Sequence, residues 1–249
     1  MSKLSDAMER SKRERQRPRV GNDASSSGFP VVFGASRVDL PEDDVEAYQA
    51  LGSDIYLALP EMSSRVVMLV SAESGAGTST VARGFASTLA TNGEVKTLLV
   101  DANLRKPTLH ASYRLARVPG VSDCVLGDVP LIECIRDVPQ PNLSVLPAGR
   151  PAVAPPRVLG DPAIDGMLEE LRRSFELIVI DSAPLLPFAE GAPLSRKADG
   201  VVVVVRSAFT RQATLQRALA TLDDAGANVL GSVLNGRKFY IPQFIYNRL

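Results

Sequence analysis

Three short stretches carry the residue types that handle a phosphoryl group. The first is Ser71-Ala72-Glu73-Ser74-Gly75-Ala76-Gly77-Thr78-Ser79-Thr80. It has the frame of a phosphate-binding loop. The apolar run Val66-Val67-Met68-Leu69-Val70 feeds it, and Val81, Phe85 and Leu89 recur behind it at helical spacing. A strand, a glycine turn and a helix N-terminus together present backbone N–H groups and a positive dipole end to an anion. The second stretch, Asp101-Ala102-Asn103-Leu104-Arg105, follows the run 97–100, and the third, Asp181-Ser182-Ala183-Pro184, follows 177–180. Phosphoryl transfer needs a backbone cradle, a hydroxyl and carboxylates for Mg²⁺, and positive charge for the transition state. Ser79 can supply the hydroxyl, and Asp101 and Asp181 the carboxylates. The gap is the cation: Thr78 stands where such a loop normally has the lysine that reaches the β- and γ-phosphates.

These residues must be positioned by the elements around them. Strand-like runs fall at 65–71, 95–101, 143–147, 176–181, 200–206 and 228–234, with helix-like stretches at 79–91, 121–136, 161–174 and 210–225. Ile164, Leu168, Leu171 and Phe175 keep helical spacing, as do Leu215, Ala218, Leu219 and Leu222, and Gly93 and Gly226 sit where helix C-caps are expected. A further short helix is expected from Asp44 to Leu57, with Ala47, Leu51 and Ile55 on one face. Apolar strands without alternation, separated by helices, predict an α/β fold with a mostly parallel sheet covered by helices on both faces. Ligands of such sheets bind at the carboxyl ends of strands, so the three stretches can converge on one site.

Composition narrows the function. A chain of 249 residues, 45% hydrophobic, is long enough to bury a full core. Lys plus Arg equals Asp plus Glu at 28 each, which gives no global attraction to nucleic acid. Cys124 and Cys134 lie ten apart with no second pair, so neither a zinc site nor a disulfide framework is expected. His110 is the only histidine, which excludes multi-histidine metal sites. No apolar run approaches the roughly 18 residues of a membrane span, and Met1 to Arg19 has charges without the apolar core of a signal peptide. A cytoplasmic protein is expected.

Three regions follow. Residues 1–44 read as a disordered basic tail and linker. The first twenty carry Lys3, Arg10, Lys12, Arg13, Arg15, Arg17 and Arg19 against Asp6, Glu9 and Glu14, and Ser25-Ser26-Ser27-Gly28 follows. Residues 45–236 form the α/β domain, and 237–249 an aromatic C-terminal tail containing Tyr240 and Tyr246.

On these blocks the chain resembles the cytoplasmic kinase domain of bacterial tyrosine kinases (BY-kinases) of capsule and exopolysaccharide biosynthesis, P-loop proteins related to the MinD/ParA group. The likeness covers about 45–249. It rests on the loop at 71–80, Leu98-Leu99-Val100-Asp101-Ala102-Asn103-Leu104-Arg105-Lys106-Pro107, Leu143-Ser144-Val145-Leu146-Pro147-Ala148-Gly149, and Ile178-Val179-Ile180-Asp181-Ser182-Ala183-Pro184. Asp199-Gly200-Val201, Val205-Arg206 and Val233-Leu234-Asn235 complete it. The resemblance implies that Gly75, Ala76, Gly77, Thr78, Ser79 and Thr80 cradle the phosphates of ATP. It implies that Ser79, Asp101 and Asp181 hold Mg²⁺, with Asp101 and Asp181 as the catalytic acids. Arg105 matches the arginine of the family's second Walker motif, and Arg206 and Asn235 fall where the family approaches the nucleotide base.

The departures from the family run in one direction. Thr78 replaces the loop lysine, and Asn103 the second acid of Asp-x-Asp-x-Arg. The activating Glu-x-x-Arg-x-x-Arg segment reads Glu46-Ala47-Tyr48-Gln49-Ala50-Leu51-Gly52, without its arginines. Glu190 stands where an aspartate is usual, and the C-terminal tyrosine cluster is reduced to Tyr240 and Tyr246, which could accept phosphate. The reading is a pseudokinase with weakened or absent ATP and Mg²⁺ binding. It would sit at the inner face of the cell membrane through a transmembrane polysaccharide co-polymerase, with an active kinase paralogue as a further partner. An active tyrosine autokinase that uses Arg105 or Lys106 in place of the lysine is the alternative, and a MinD/ParA-like nucleotide switch the second.

Overall fold

In the computed structural model, which describes residues 45–188 and 191–236, the apolar runs become the strands of a single sheet. The strands are β1 (Arg65–Ser71), β2 (Thr97–Asp101), β3 (Arg136–Asp137), β4 (Leu143–Leu146), β5 (Leu177–Asp181), β6 (Gly200–Arg206) and β7 (Val229–Asn235). Their order across the sheet is β3-β4-β2-β5-β1-β6-β7. Every pairing is parallel except the short β3 on β4. The helices are α1 (Val45–Ala58), α2 (Thr78–Asn92), α3 (Leu109–Ser112), α4 (Val121–Val125), α5 (Leu131–Cys134), α6 (Pro155–Leu159), α7 (Ala163–Arg172), α8 (Gly191–Ser195) and α9 (Gln212–Asp224).

Strand side chains alternate between faces, and the two faces feed two separate cores. Val66, Met68 and Val70 of β1 pack with Ile178 and Ile180 of β5 under α4 to α9, while Val67 and Leu69 join Leu177 and Val179 under α1 and α2. Being buried on both sides explains why these strands read as continuous apolar runs. The same alternation places Asp101 and Asp181, at odd positions after Leu99 and Val179, on the α2 side of the sheet.

One expected helix is broken in two. The stretch 121–136 forms α4 and α5 because Gly127 turns at φ +78° and Pro130 follows, and its last residues become β3. The stretch 161–174 holds the single helix α7, and the proline-started α6 ahead of it was not expected. The helices α3 and α8 and the strand β3 carry too few residues to show a period in sequence. The other elements match their expected positions within two residues. Of the expected caps, Gly226 takes φ +71°, while Gly93 ends α2 in right-handed geometry, its N–H donating to Leu89 O at 3.1 Å. Asp199, part of the family-like block before β6, is structural: its carboxylate accepts the Val66 N–H at 2.7 Å and an Arg172 N–H at 2.8 Å. Residues 1–44 and 237–249, with Tyr240 and Tyr246, and also Glu190, lie outside the described residues.

α1 and α2 meet through two glycines. A Cβ on Gly84 would stand 2.3 Å from the Tyr48 ring, and one on Gly52 would stand 3.0 Å from Leu89. Gly52 occupies the position of the second family arginine, so that position is part of a helix–helix contact here, not a free surface. Gly52→Arg should therefore lower unfolding stability by about 1–3 kcal/mol or more, since overpacking and a buried charge act together. Gln49→Arg, at an exposed position, should be nearly neutral. Chemical denaturation of the two variants checks this.

Candidate phosphate-binding site

The loop after β1 is shaped by two glycines in left-handed conformation, Gly75 at φ +82° and Gly77 at φ +88°. Gly77 precedes α2 and offers no side-chain cap, and the Val81 N–H donates to its carbonyl at 3.0 Å. The first N–H groups of a 15-residue helix therefore face the loop's concavity without a protein cap, the arrangement that binds anions. The chain after β5 runs alongside, with Ser182, Leu185 and Leu186 donating N–H groups to Leu69, Ser71 and Ala72. A cavity of about 690 Å³ opens over the loop, lined by Ser74, Gly75, Gly77, Thr78, Ser79 and Thr80 on one side and by Asn103, Arg105, Lys106 and Phe188 across from them.

Register brings the carboxylates together. Asp101 and Asp181 are paired residues on neighbouring strands, and Leu69 flanks Asp181 on the other side. Both are fully buried. Asp101 spends its oxygens on the backbone: Oδ2 accepts the Thr108 and Leu109 N–H groups at 3.1 Å each, and Oδ1 accepts that of Asn103 at 3.3 Å. It thereby holds the turn into α3. Asp181 differs. The Ser79 hydroxyl lies close enough to soften its titration, yet neither carboxylate oxygen has a hydrogen-bond partner of normal geometry among the described residues.

Burial, foremost, pushes the Asp101 carboxyl from 3.8 up to about 6, against the pull of its three N–H donors and the Arg117 charge. Burial, and then the Asp101 charge, push Asp181 well above 3.8. A buried, unpartnered carboxylate beside a second one is a poor resting state and a good cation seat. The residues present thus fit a hard divalent cation held by Ser79 and Asp181, with Asp101 adding charge, and fit polyphosphate oxygens over the glycine loop. When bound, a nucleotide with Mg²⁺ would supply a transferable phosphoryl group. The chain's own part is to orient that group by its N–H donors and to hold negative charge beneath it.

The other expected residues take distinct places. Thr78 is the first residue of α2, is buried, and lines the cavity with a short neutral side chain. The Asn103 amide oxygen accepts the Lys106 N–H at 3.1 Å and fastens the turn after β2. The Arg105 guanidinium stacks over the Phe188 ring, 4.2 Å from its centroid, at the cavity wall. Arg206 and Asn235 sit behind the loop at the ends of β6 and β7. Arg206 Nη1 donates to Gly75 O at 3.2 Å and Asn235 Nδ2 to Ala76 O at 2.9 Å, and neither lines the cavity. Four lining residues were not anticipated: Arg83, Thr108, Ser112 and Phe188. Arg83 lies one helical turn after Ser79, a spacing that could have placed it on the site's face. The other three lie in a loop or at the ends of the four-residue α3, where there is no local sequence signal.

The fold and loop together define a P-loop NTPase of the MinD/ParA kind, in line with a TM-score of 0.56 to a MinD from Pyrococcus horikoshii solved with Mg-ADP, at 23% identity. Comparison narrows the class. The chain is 29% identical over 193 residues to the tyrosine-protein kinase YwqD of Bacillus subtilis, covering 78% of the chain and 81% of that kinase. It is 26% identical over 200 residues to the tyrosine-protein kinase etk of Escherichia coli, covering 80% of the chain but 27% of etk. The VpsO kinase domain superimposes with a TM-score of 0.71 at 29% identity, over 79% of the chain and 96% of that domain. No family model matches the chain. The chain is thus similar to bacterial tyrosine kinases (BY-kinases) over most of its length, and spans under a third of the longer ones, etk at 27% and the Acinetobacter johnsonii kinase ptk at 30%.

The paired carboxylates set a pH dependence. Both have folded values above their unfolded ones, so the cation-free folded state binds more protons, and stability falls as pH rises from about 4 through 6 and beyond. For Asp101 the change from 3.8 to about 6 corresponds to roughly 3 kcal/mol by neutral pH. Asp181→Asn should therefore raise the melting temperature of Mg²⁺-free protein at pH 8, with the gain closing toward pH 4. Mg²⁺ should stabilise the parent chain and not the variant. Thermal melts across pH, with and without Mg²⁺, report both.

Proposed function

We propose that this chain is a nucleotide-binding pseudokinase of exopolysaccharide or capsule biosynthesis, acting at the inner face of the membrane as the partner of a transmembrane polysaccharide co-polymerase. The observation that carries the reading is a phosphate cradle intact in its backbone with a buried threonine in the lysine's place. The loop glycines, the helix N-terminus and the unpartnered Asp181 support binding. Transfer is another matter. Losing one preorganised charge-stabilising donor costs about 3–4 kcal/mol of barrier, a hundred- to a thousandfold in rate. Asn103, at the family's second acid, serves a turn, and its amide cannot accept a proton as a carboxylate can. The polysaccharide setting and the partner follow from the family, and no helix among the described residues is long and apolar enough to cross a membrane.

One observation favours an active autokinase instead: Arg83 of α2 and Arg105 and Lys106 after β2 all line the cavity and bring positive charge to it. Purified protein incubated with ATP and Mg²⁺ should show no phosphotyrosine above the level of Asp101→Ala. A robust signal that vanishes in that variant overturns the pseudokinase reading. Co-purification with a co-polymerase from membranes of the native host is expected, and its absence argues against the partner. Restoring the lysine gives a second test. Thr78→Lys should tighten Mg-ATP binding by about 10- to 100-fold, the range of one charge-assisted hydrogen bond. No change in a calorimetric titration would mean that the cradle does not receive phosphates.

A further inference from the structure

A second cavity, of about 640 Å³, lies beside the first. It follows one face of α2, where Thr80, Arg83, Ser87, Thr88 and Thr91 recur at helical spacing, and is bounded across from them by 112–114 and 138–140. Thr80, Arg83 and Ser112 line both cavities, so the two share a wall. Of the stretch 71–80 only Thr80 reaches this second space, and neither Gly75 nor Gly77 lines it.

Its chemistry is one-sided. The lining contains two guanidinium groups, Arg83 and Arg114, and no carboxylate. Most of the remaining side chains are hydroxyls and amides, with an apolar contribution from Val45, Val138 and Pro139. Part of the polar wall is held in place. The Ser87 hydroxyl lies 3.2 Å from the Tyr113 hydroxyl and donates to Gln140 Oε1 at 3.1 Å, which joins α2 to both opposing segments. Arg114 takes φ +55° and makes no ion pair with any described residue. Guanidinium groups match phosphate oxygens in geometry and charge. The hydroxyls and amides suit a ligand with many hydrogen-bonding groups, and the apolar remainder of the wall suits its carbon skeleton. The volume falls in the range of small-molecule pockets.

We propose that this second cavity binds a phosphorylated, polyhydroxylated small molecule, a sugar phosphate by chemical class, with Arg114 and Arg83 on the phosphate and the α2 hydroxyls on the carbon skeleton. The proposal goes beyond the nucleotide reading and stands or falls without it, because binding is measured with no nucleotide present. Glucose 6-phosphate, glucose and inorganic phosphate are each titrated calorimetrically into the full chain. Saturable binding of glucose 6-phosphate is expected, with glucose and inorganic phosphate each at least tenfold weaker. Arg114→Asn, which keeps a residue tolerant of positive φ, should weaken glucose 6-phosphate by tenfold or more, and Ser87→Ala should weaken it to a smaller degree. Circular dichroism of both variants shows that the fold is kept. Three results overturn the proposal: no saturable binding, equal binding of inorganic phosphate, or binding unchanged in Arg114→Asn, which would place the ligand over the glycine loop instead.

Discussion

Two carboxylates side by side in a dry sheet are the constraint around which the site is arranged. The pairing of β2 with β5 puts Asp101 against Asp181, and the alternation of strand side chains sends both toward α2. Neither can be ionised there without compensation. Asp101 finds it in three backbone N–H groups, and in doing so fixes the turn that leads to α3. Asp181 has only the nearby Ser79 hydroxyl, and no hydrogen bond of normal geometry among the described residues. The position of the phosphate loop above it, the Ser79 hydroxyl next to it and the helix N-terminus beyond are all arranged around that unpaired charge. The fold therefore requires a cation or a proton at this point, whatever the chain does with a nucleotide.

The rest of the architecture serves to keep the loop where that charge needs it. Asn235 and Arg206, from the ends of the two outermost parallel strands on that side, hold the Gly75 and Ala76 carbonyls from behind. Gly77 is required twice over: its φ is +88°, and a Cβ would come within 2.1 Å of the Asn235 amide nitrogen. On the far side, Tyr48 over Gly84 and Leu89 over Gly52 clamp α1 to the helix that begins at the loop. Thus the cradle is gripped at its glycines, at its helix and at the carboxylates below it. Its cavity side is lined mainly by side chains from elsewhere.

Much of this was legible before any coordinates. The glycine spacing, the two aspartates at strand ends and the unalternating apolar runs all report conditions set by near neighbours in sequence, and the sheet, its parallel sense and the convergence of the three stretches follow from them. The short elements did not show, because four or five residues cannot display a period, and the break between α4 and α5 depends on Gly127 and Pro130 inside an otherwise helical pattern. The places of Asn235 and Arg206 could not be read either. An amide and a guanidinium at strand ends serve equally to meet a ligand or to hold a loop, and only the three-dimensional approach to Gly75 and Ala76 separates the two. Arg83 is an intermediate case: its spacing from Ser79 was visible, while the cavity that makes it relevant was not.

The ties on the loop have a consequence for how such a site ages. Asn235, Arg206, Asp101 and Asn103 all grip peptide groups, which every sequence supplies. The loop's cation position is, by contrast, not required for the shape. A lysine can become Thr78 without disturbing a single one of those contacts. Decay of catalysis in this architecture is then silent at the level of form: the chain can lose its reaction one substitution at a time and still present partners with the same surface. Shape is inherited through the backbone, and activity through a few replaceable side chains, so the two can part company over evolutionary time.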